Sequence, residues 1–563
     1  MPPVPPLRGS FRTDLRARAA YSEGAGVYRV VPAAVALPAD EADLVTLLKW
    51  AVGAAGEQSA VGSRHAVVSP QPLVLRGAGS AMGGGNVGDG IVVDLTAMAE
   101  RTLTLNAVAR TVVTSAGVTL GEIEQAAAAV GLRLPPDPAS ARWATAGGAF
   151  STNAAGPRTL RYGSMRRWAT GATVIIAEGE ILTMRRGDRP GKARAVTRFE
   201  SDVAPVIRAE ASRIRDRFPR TRKNSSGYAL DAWLDSGDLL DLFIGAEGTL
   251  GVVTEVTWKL DPIPAFRSAL QVEIASLDRI AETILALTAT GPSVCELLDR
   301  SFLDVVRSGT AGPKVVVPDA EAVLLIEYEE ETAGALEAAV ARGASAALAA
   351  GARAVRPRTA EAEAAIWALR HAASPILARL PETQRSVQVV EDGCVPVRCL
   401  AEYLHLLRDA AAARDLPIVL FGHAGDGHVH ANLLPDTTRA GWTDAVASLL
   451  EEVSAGVIAL GGTPAGEHGD GRLRAGLMER LYGPEITGLF RQVKECFDPL
   501  GILNPGVILP AVPEASPLAH LKVGAGAAPI PDDIALALRT IEREGGYARS
   551  RLSLADDSLT THD

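Results

Sequence analysis

Between Gly422 and Asn432 the chain sets three histidines, an aspartate and an asparagine among three glycines, directly after an apolar run. The alternation His428, His430, Asn432 puts three polar side chains on one face of a strand ending at Leu433-Leu434. His423 lies across a Gly-Asp-Gly turn that can return it beside His430. A second polar cluster, Gly466-Glu467-His468-Gly469-Asp470-Gly471-Arg472, follows downstream. Any fold for this chain must bring the two clusters together or leave both unexplained. Two imidazoles and one distant carboxylate, with a coordination position left open, suit a catalytic divalent cation. His423, His430 and Glu467 are the expected ligands. The spacing is not HExxH, so this is no ordinary metalloprotease. His468 is left over as a base with a pKa near neutrality. A single histidine of this kind is most often a hydrogen-bonded turn residue. Four of the nine in the chain grouped here argue for more.

Three glycine-rich segments follow apolar strands or turns. The first, Arg76 to Gly85, offers Gly77, Ala78, Gly79, Ser80 and Gly83, whose backbone N–H groups suit a pyrophosphate. It is neither a dinucleotide-helix fingerprint nor a Walker A loop. The second runs from Thr145 to Gly156, the third from Gly245 to Gly251. One such loop is as easily a surface turn as a ligand loop. Three at strand ends point to a bulky polar ligand.

At 563 residues and 47% hydrophobic composition there is core for more than one domain. The net charge of -10 argues against a nucleic-acid partner. The basic run Arg213 to Lys223 reads as a solvated helix and loop. Cys295, Cys394, Cys399 and Cys496 form no CxxC, which disfavours zinc ribbons, iron–sulfur clusters and a disulfide framework. No signal peptide and no transmembrane segment is expected.

The periodicity predicts an N-terminal arm over 1–28, a helix capped by Asp40, and strands at 73–75, 90–95, 111–115, 240–244 and 252–259. Thr119 opens a further helix. Pro262 and Pro264 mark a boundary. Beyond it come strands at 269–274, 323–327, 387–390 and 418–421, with helices over 277–289 and from Gly334, read as two ββ-with-helices units. A turn-rich loop covers 497–506, and a helix spans 532–544 in the tail. The expected domains are 29–262, 263–509 and a tail over 510–563.

With these residues in place the chain resembles the FAD-linked D-2-hydroxy-acid oxidases and dehydrogenases of vanillyl-alcohol-oxidase fold, in their glycolate-oxidase and D-lactate-dehydrogenase branch. The resemblance covers roughly residues 30–509. Arg76 to Gly84 resembles the first FAD loop. Pro136-Asp137, Gly147-Gly148, Ser151, Asn153, Gly156 and Tyr162 resemble the second FAD stretch. Glu247, Gly248, Gly251 and Val252 resemble the third. The resemblance implies an α+β fold: a two-subdomain FAD-binding domain of PCMH type with an α/β cap domain. It implies non-covalent FAD, since the first loop holds no histidine or cysteine. It also implies a divalent metal on His423, His430 and Glu467, zinc ahead of manganese or iron. In the same way it assigns His468 as base, Asn432 as a polar residue near substrate, and Arg370 as the guanidinium that grips the substrate carboxylate.

Two departures stand out. His428 occupies a position where the family more often has Asn. Val390-Glu391-Asp392 lacks the lysine of the 2-hydroxyglutarate enzymes, which disfavours a dicarboxylate. The resemblance implies oxidation of a small D-2-hydroxy acid (D-lactate or glycolate-like), with electrons passing to a quinone, cytochrome, flavoprotein or iron–sulfur subunit. It is compatible with a homodimer and a cytoplasmic place peripheral to the inner membrane face. The rival readings are a non-redox flavoenzyme like alkyl-glycerone-phosphate synthase and a flavin-binding electron-transfer subunit.

Overall fold

Apolar β-branched runs organise three large sheets, beside a two-stranded pair of Leu132–Arg133 with Asp261–Pro262. The computed structural model describes residues 4–53, 70–188, 191–308, 317–355, 360–511, 516–544, 547 and 550–556. The first sheet orders Ser10–Arg12, Ala34–Leu37, Ile91–Asp94 and Leu73–Arg76, and its last three strands run parallel. Ala34–Leu37 and Ile91–Asp94 are wholly buried, as parallel strands covered on both faces must be. Asp40 caps the helix Glu41–Ala51 by accepting from Asp43 N. Asp43 turns back and accepts from Gly9 N at 2.8 Å and Ala39 N at 2.9 Å. The expected N-terminal arm is therefore corrected from Ser10 onward. Ser10–Arg12 pairs with Ala34–Leu37, and helix Leu15–Ala20 buries Ala17, Ala19 and Ala20. The apolar positions in that segment are too few to announce a strand and a helix by periodicity.

The second sheet is antiparallel: Leu103–Asn106, Thr111–Ser115, Val252–Lys259, Ala169–Ile175 and Ile181–Arg185. The expected strand at 240–244 is instead the short helix Leu240–Phe243. A short apolar run fits either form, and here an ion hub decides. Asp241 is buried and receives Arg166 at 2.9 Å and Arg186 at 2.5 Å. Burial raises the Asp241 pKa, but the two guanidiniums outweigh it and hold it low. Asp241→Ala leaves two half-buried cations facing each other. It is expected to cost about 3 kcal/mol, read as a lower urea midpoint at unchanged slope.

The third sheet has seven antiparallel strands in the order Arg353–Val355, Phe266–Ile274, Ala322–Glu330, Val294–Asp299, Ile418–His423, His428–Leu433, Gly393–Cys394. The expected pair of separate ββ units is corrected. Val294–Asp299 pairs with Ala322–Glu330 on one side and Ile418–His423 on the other, zipping both halves into one sheet. Alternate residues face two cores. Leu297, Leu324 and Leu420 join helices Leu400–Ala412 and Trp442–Ala459, while Leu298, Leu325 and Val419 join Phe302, Leu369 and Leu377. Burial on both faces hides the period of two in the sequence. The expected strand at 387–390 is reduced to one bridge from Val387 to Leu433, after which the chain turns Glu391 and Asp392 inward.

After Pro510 the chain returns to the N-terminal segment. Arg29 N donates to His520 O, Lys522 N to Val27 O, and Arg16 pairs with Asp533 at 2.6 Å. Helix Asp532–Glu544 is anchored through Glu542, which meets Arg539 at 3.0 Å, Lys522 at 3.3 Å and Arg385. Burial raises the Glu542 pKa, but Lys522, Arg385 and Arg539 outweigh it and hold it at about 2. A depressed carboxylate stabilises the fold above its ordinary value of 4.5 and loses that contribution as pH falls through about 2. Hydrogen exchange over 532–544 is expected to accelerate across that acid window ahead of the sheets. In Glu542→Gln it is expected to be fast already at neutral pH. Among the described residues no helix is long and apolar enough to cross a membrane.

Candidate active site

Strands Ile418–His423 and His428–Leu433 are joined by a tight turn through Gly427, whose φ is 74°. A Cβ at Gly427 would sit 1.9 Å from Val395 O, so only glycine closes this turn. The hairpin register sets Phe421 opposite His430 and His423 opposite His428. The loop carrying Glu467 is held to the hairpin through Asp392, whose carbonyl accepts from Gly466 N at 2.8 Å and whose Oδ1 lies 2.8 Å from His428 Nε2.

Three donor atoms then form a triangle. His423 Nε2 to His430 Nε2, His423 Nε2 to Glu467 Oε1, and His430 Nε2 to Glu467 Oε1 are each 3.4 Å. Ligands about 2.1 Å from a zinc ion at tetrahedral angles stand about 3.4 Å apart, while octahedral angles bring them to about 3.0 Å. The residues thus fit a small tetrahedral cation. Each ligand's other atom is already held. Glu296 Oε1 takes His423 Nδ1 at 2.5 Å, and Glu391 O takes His430 Nδ1 at 2.9 Å. Lys223 Nζ donates to Glu467 Oε2 at 2.6 Å. Such outer partners fix the tautomer and aim each ligand.

His428 is fully buried with Nε2 on Asp392 Oδ1 at 2.8 Å. Its Nδ1 has no hydrogen-bond partner and lies 3.9 Å from Glu467 Oε2. Burial pushes its pKa down to about 4, so the ring is neutral and its free lone pair is a fourth donor behind the triangle. Burial raises Glu467, but Lys223 and His423 outweigh it and hold it well below the usual carboxylate range.

His468 presents Nδ1 to Glu391 Oε2 at 2.6 Å, and Glu391 Oε1 takes Arg474 Nη2 at 2.5 Å. Asp392 Oδ2 accepts from His468 N at 2.9 Å. Burial lowers the His468 pKa, but Glu391 and Asp392 outweigh it and raise it to about 9 in the metal-free protein. Arg370, on helix Ala360–Ala378, donates Nε to Glu296 Oε2 at 2.7 Å and lies over the Phe421 ring at 5.1 Å. Burial raises Glu296, but His423 and Arg370 outweigh it and hold it at about 2. Asn432 Oδ1 accepts from Ser386 Oγ and Gln388 Nε2, while its buried Nδ2 has no partner. That amide can still donate to a substrate oxygen.

Part of this cluster lines a cavity of about 910 Å³, at the upper end of ligand sites. The structure brings His423, His430, Glu467, His468, Arg370 and Asn432 onto its wall. Gly77, Ala78, Gly79 and Ser80 line it from the first glycine loop, with Arg76. The Arg76 guanidinium, however, turns away to Glu23 O at 2.8 Å and the carbonyls of Tyr21 and Asn86, bracing the loop. Asp137, Gly147, Gly148 and Ser151 line the cavity from the second stretch, and Glu247, Gly248 and Gly251 from the third. Asp137 and Glu247 have φ of 45° and 50°, costly for residues with a side chain.

Six expected cofactor residues sit elsewhere. Gly83 accepts from Arg472 N at 2.9 Å and packs on Gly471. Pro136 and Gly156 pack on each other. Asn153 Oδ1 accepts from Arg166 N at 3.0 Å. Tyr162 donates to Glu329 Oε2 at 2.7 Å. Val252 faces the first sheet's core while Val253 lines the cavity, as strand alternation requires. Glu247 also accepts from Asp470 N at 2.7 Å and Gly471 N at 3.1 Å, clamping the loop that carries Glu467 and His468.

Lys223, Glu296, Glu391 and Asp392 are site residues that the sequence alone does not announce. Lys223 falls in a basic run that reads as solvated, yet its side chain is fully buried against Glu467. A signal exists for Glu296, an acid set among apolar residues in the strand Val294–Asp299. The pair Glu391-Asp392 likewise follows an apolar stretch directly.

Residues 32–185 match the FAD binding domain family, and residues 263–508 match FAD linked oxidases, C-terminal domain. The chain is 32% identical over 448 residues to the glycolate oxidase subunit GlcD of Bacillus subtilis (strain 168), covering 77% of this chain and 83% of that protein. It is 30% identical over 443 residues to a D-lactate dehydrogenase of Archaeoglobus fulgidus, covering 78% of this chain and 86% of that one. The fold superposes on 4-ethylphenol oxidase from Gulosibacter chungangensis with TM-score 0.61 at 14% identity, over 89% and 94% of the two chains.

Proposed function

The chain belongs to the FAD-linked oxidases, and from that premise we propose that it oxidises a small D-2-hydroxy acid, of the D-lactate or glycolate kind, to the 2-oxo acid. The observation that carries this reading is the triangle of His423, His430 and Glu467 on the same cavity wall as Arg370 and His468. Arg370 pairs with the substrate carboxylate through its terminal nitrogens, its Nε being held by Glu296. Asn432 Nδ2 donates to a substrate oxygen. His468 accepts the hydroxyl proton at Nε2, since Nδ1 is engaged by Glu391. As that proton leaves, the C2 hydrogen departs with its electron pair and the C2–O bond becomes a carbonyl. Bound FAD supplies the two-electron acceptor. His423, His430 and Glu467 would hold a divalent cation, which would supply positive charge to favour loss of the hydroxyl proton.

The tetrahedral edge lengths favour zinc over manganese or iron for that cation. FAD is held without a covalent bond, since Arg76 to Gly85 contains no histidine or cysteine. In this reading the part over 29–262 holds the cofactor and the part over 263–509 holds cation and substrate. The 1–28 segment and the 510–563 tail flank them. Electrons leave for a quinone, cytochrome, flavoprotein or iron–sulfur subunit, from a cytoplasmic protein peripheral to the membrane. The names of the relatives support the D-configuration and the small acid.

The test is anaerobic bleaching of bound flavin with metal content measured on the same sample. D-lactate is expected to bleach it and L-lactate to leave it yellow. Failure of every D-2-hydroxy acid to bleach a metal-loaded, FAD-loaded sample would sink the reading.

A further inference from the structure

The cavity wall carries two chemically unlike groups of residues. One comprises the imidazoles with Glu296, Glu391 and Glu467. Elsewhere on its wall stand two aromatic rings, Trp143 and Tyr547, with centroids 6.3 Å apart and planes at 77°. Each ring has a guanidinium over it, Arg142 at 5.8 Å from Trp143 and Arg551 at 5.6 Å from Tyr547. Arg551 is only 3% exposed, and its Nε and Nη1 have no hydrogen-bond partner.

Tyr547 comes from beyond the matched C-terminal domain, which ends at residue 508. Further along, Ser550 and Arg551 are tied toward the cofactor loops. Ser550 Oγ lies 2.9 Å from Tyr21 OH, and Arg551 N donates to the same hydroxyl at 3.2 Å. The Tyr21 carbonyl in turn accepts from Arg76, the brace of the first glycine loop. Two residues after Trp143, Thr145 Oγ1 abuts Gly77 of that loop.

We propose that Tyr547 and Trp143 form the adenine-binding corner of the FAD site, so that the C-terminal segment supplies part of the cofactor pocket. FAD must place its redox ring beside His468 and Arg370, where the acids and imidazoles stand. Its two phosphates bring negative charge that belongs with the arginines and the glycine-loop N–H groups. The purine is then left to the aromatic corner, face on one ring and edge on the other.

The test compares FAD with FMN, which lacks the adenosine, on full-length apoprotein. Tyr547→Ala is expected to weaken FAD about 10-fold, leave FMN binding unchanged, and be restored by Tyr547→Trp. Unchanged FAD affinity, or equal weakening of FAD and FMN, overturns the proposal. If the alanine variant does not fold, tryptophan fluorescence decides. FAD is expected to quench wild-type emission more than FMN does, and Trp143→Phe is expected to abolish that difference. A difference that survives Trp143→Phe overturns it equally.

Discussion

Glu467→Gln is expected to strip the bound cation and cut turnover by about 100- to 1000-fold. Its Oε1 completes the triangle with His423 and His430 at 3.4 Å on each side. An amide oxygen in that place keeps the shape and loses the charge, so cation affinity is expected to fall by more than about 100-fold. The substitution also reaches behind the site. Lys223 Nζ is fully buried, 2.6 Å from Glu467 Oε2 and 3.6 Å from Asp426 Oδ2. With glutamine it keeps a hydrogen-bond acceptor and loses its nearest anion, which is expected to cost about 3 kcal/mol of stability. The two effects separate in the double variant with Lys223→Met. The methionine removes the under-paired cation but also leaves Asp426 without its nearest cation, so stability is expected to return only in part while the metal site stays broken. Metal analysis and urea unfolding of the single and double variants measure both. A Glu467→Gln protein that keeps a full complement of metal and normal turnover would remove the triangle from the mechanism.

The site is legible where chemistry and local geometry coincide in a short stretch. His428, His430 and Asn432 alternate on one strand, and the Gly-Asp-Gly turn does return His423 to His430, because both ends of a tight hairpin are fixed by the same few residues. The glycine loops are legible as loops, but which residues of each face the ligand is not. Gly83 serves the Glu467 loop, and Val252 points opposite to Val253, details set by packing from segments far along the chain. Lys223 and Glu296 are invisible as site residues for a related reason. Their partners are 244 and 127 residues away in sequence. Only the assembled sheet shows that a lysine in a basic run is buried, or that an acid in an apolar strand faces an imidazole. The fold class follows from the resemblance. The seven-stranded sheet does not follow from pattern, because central strands buried on both faces look like uninterrupted apolar runs.

Glu391→Gln is the sharper test of the proton acceptor. Glu391 receives His468 Nδ1 on one oxygen and Arg474 on the other, so it both orients the imidazole and raises its pKa to about 9 in the metal-free protein. A group raised in the folded state stabilises the protein fully below its ordinary value of 6.5 and loses that contribution as pH climbs through about 9. Catalysis needs the opposite form, the neutral ring, so the acid limb of kcat/KM follows the same ionisation from the other side. Removing the anion disfavours the imidazolium. The acid limb is therefore expected to move to lower pH by about 1 to 2 units, whatever constant offset a bound cation adds to both proteins. At the same time kcat is expected to fall about 100-fold, because the less basic, less firmly held ring is a poorer acceptor. Glu391→Asp keeps the charge and is expected to keep the limb near its wild-type position while losing part of kcat to geometry. A fall in kcat with the limb unmoved would mean that Glu391 acts only through Arg474 and that the hydroxyl proton leaves by another route.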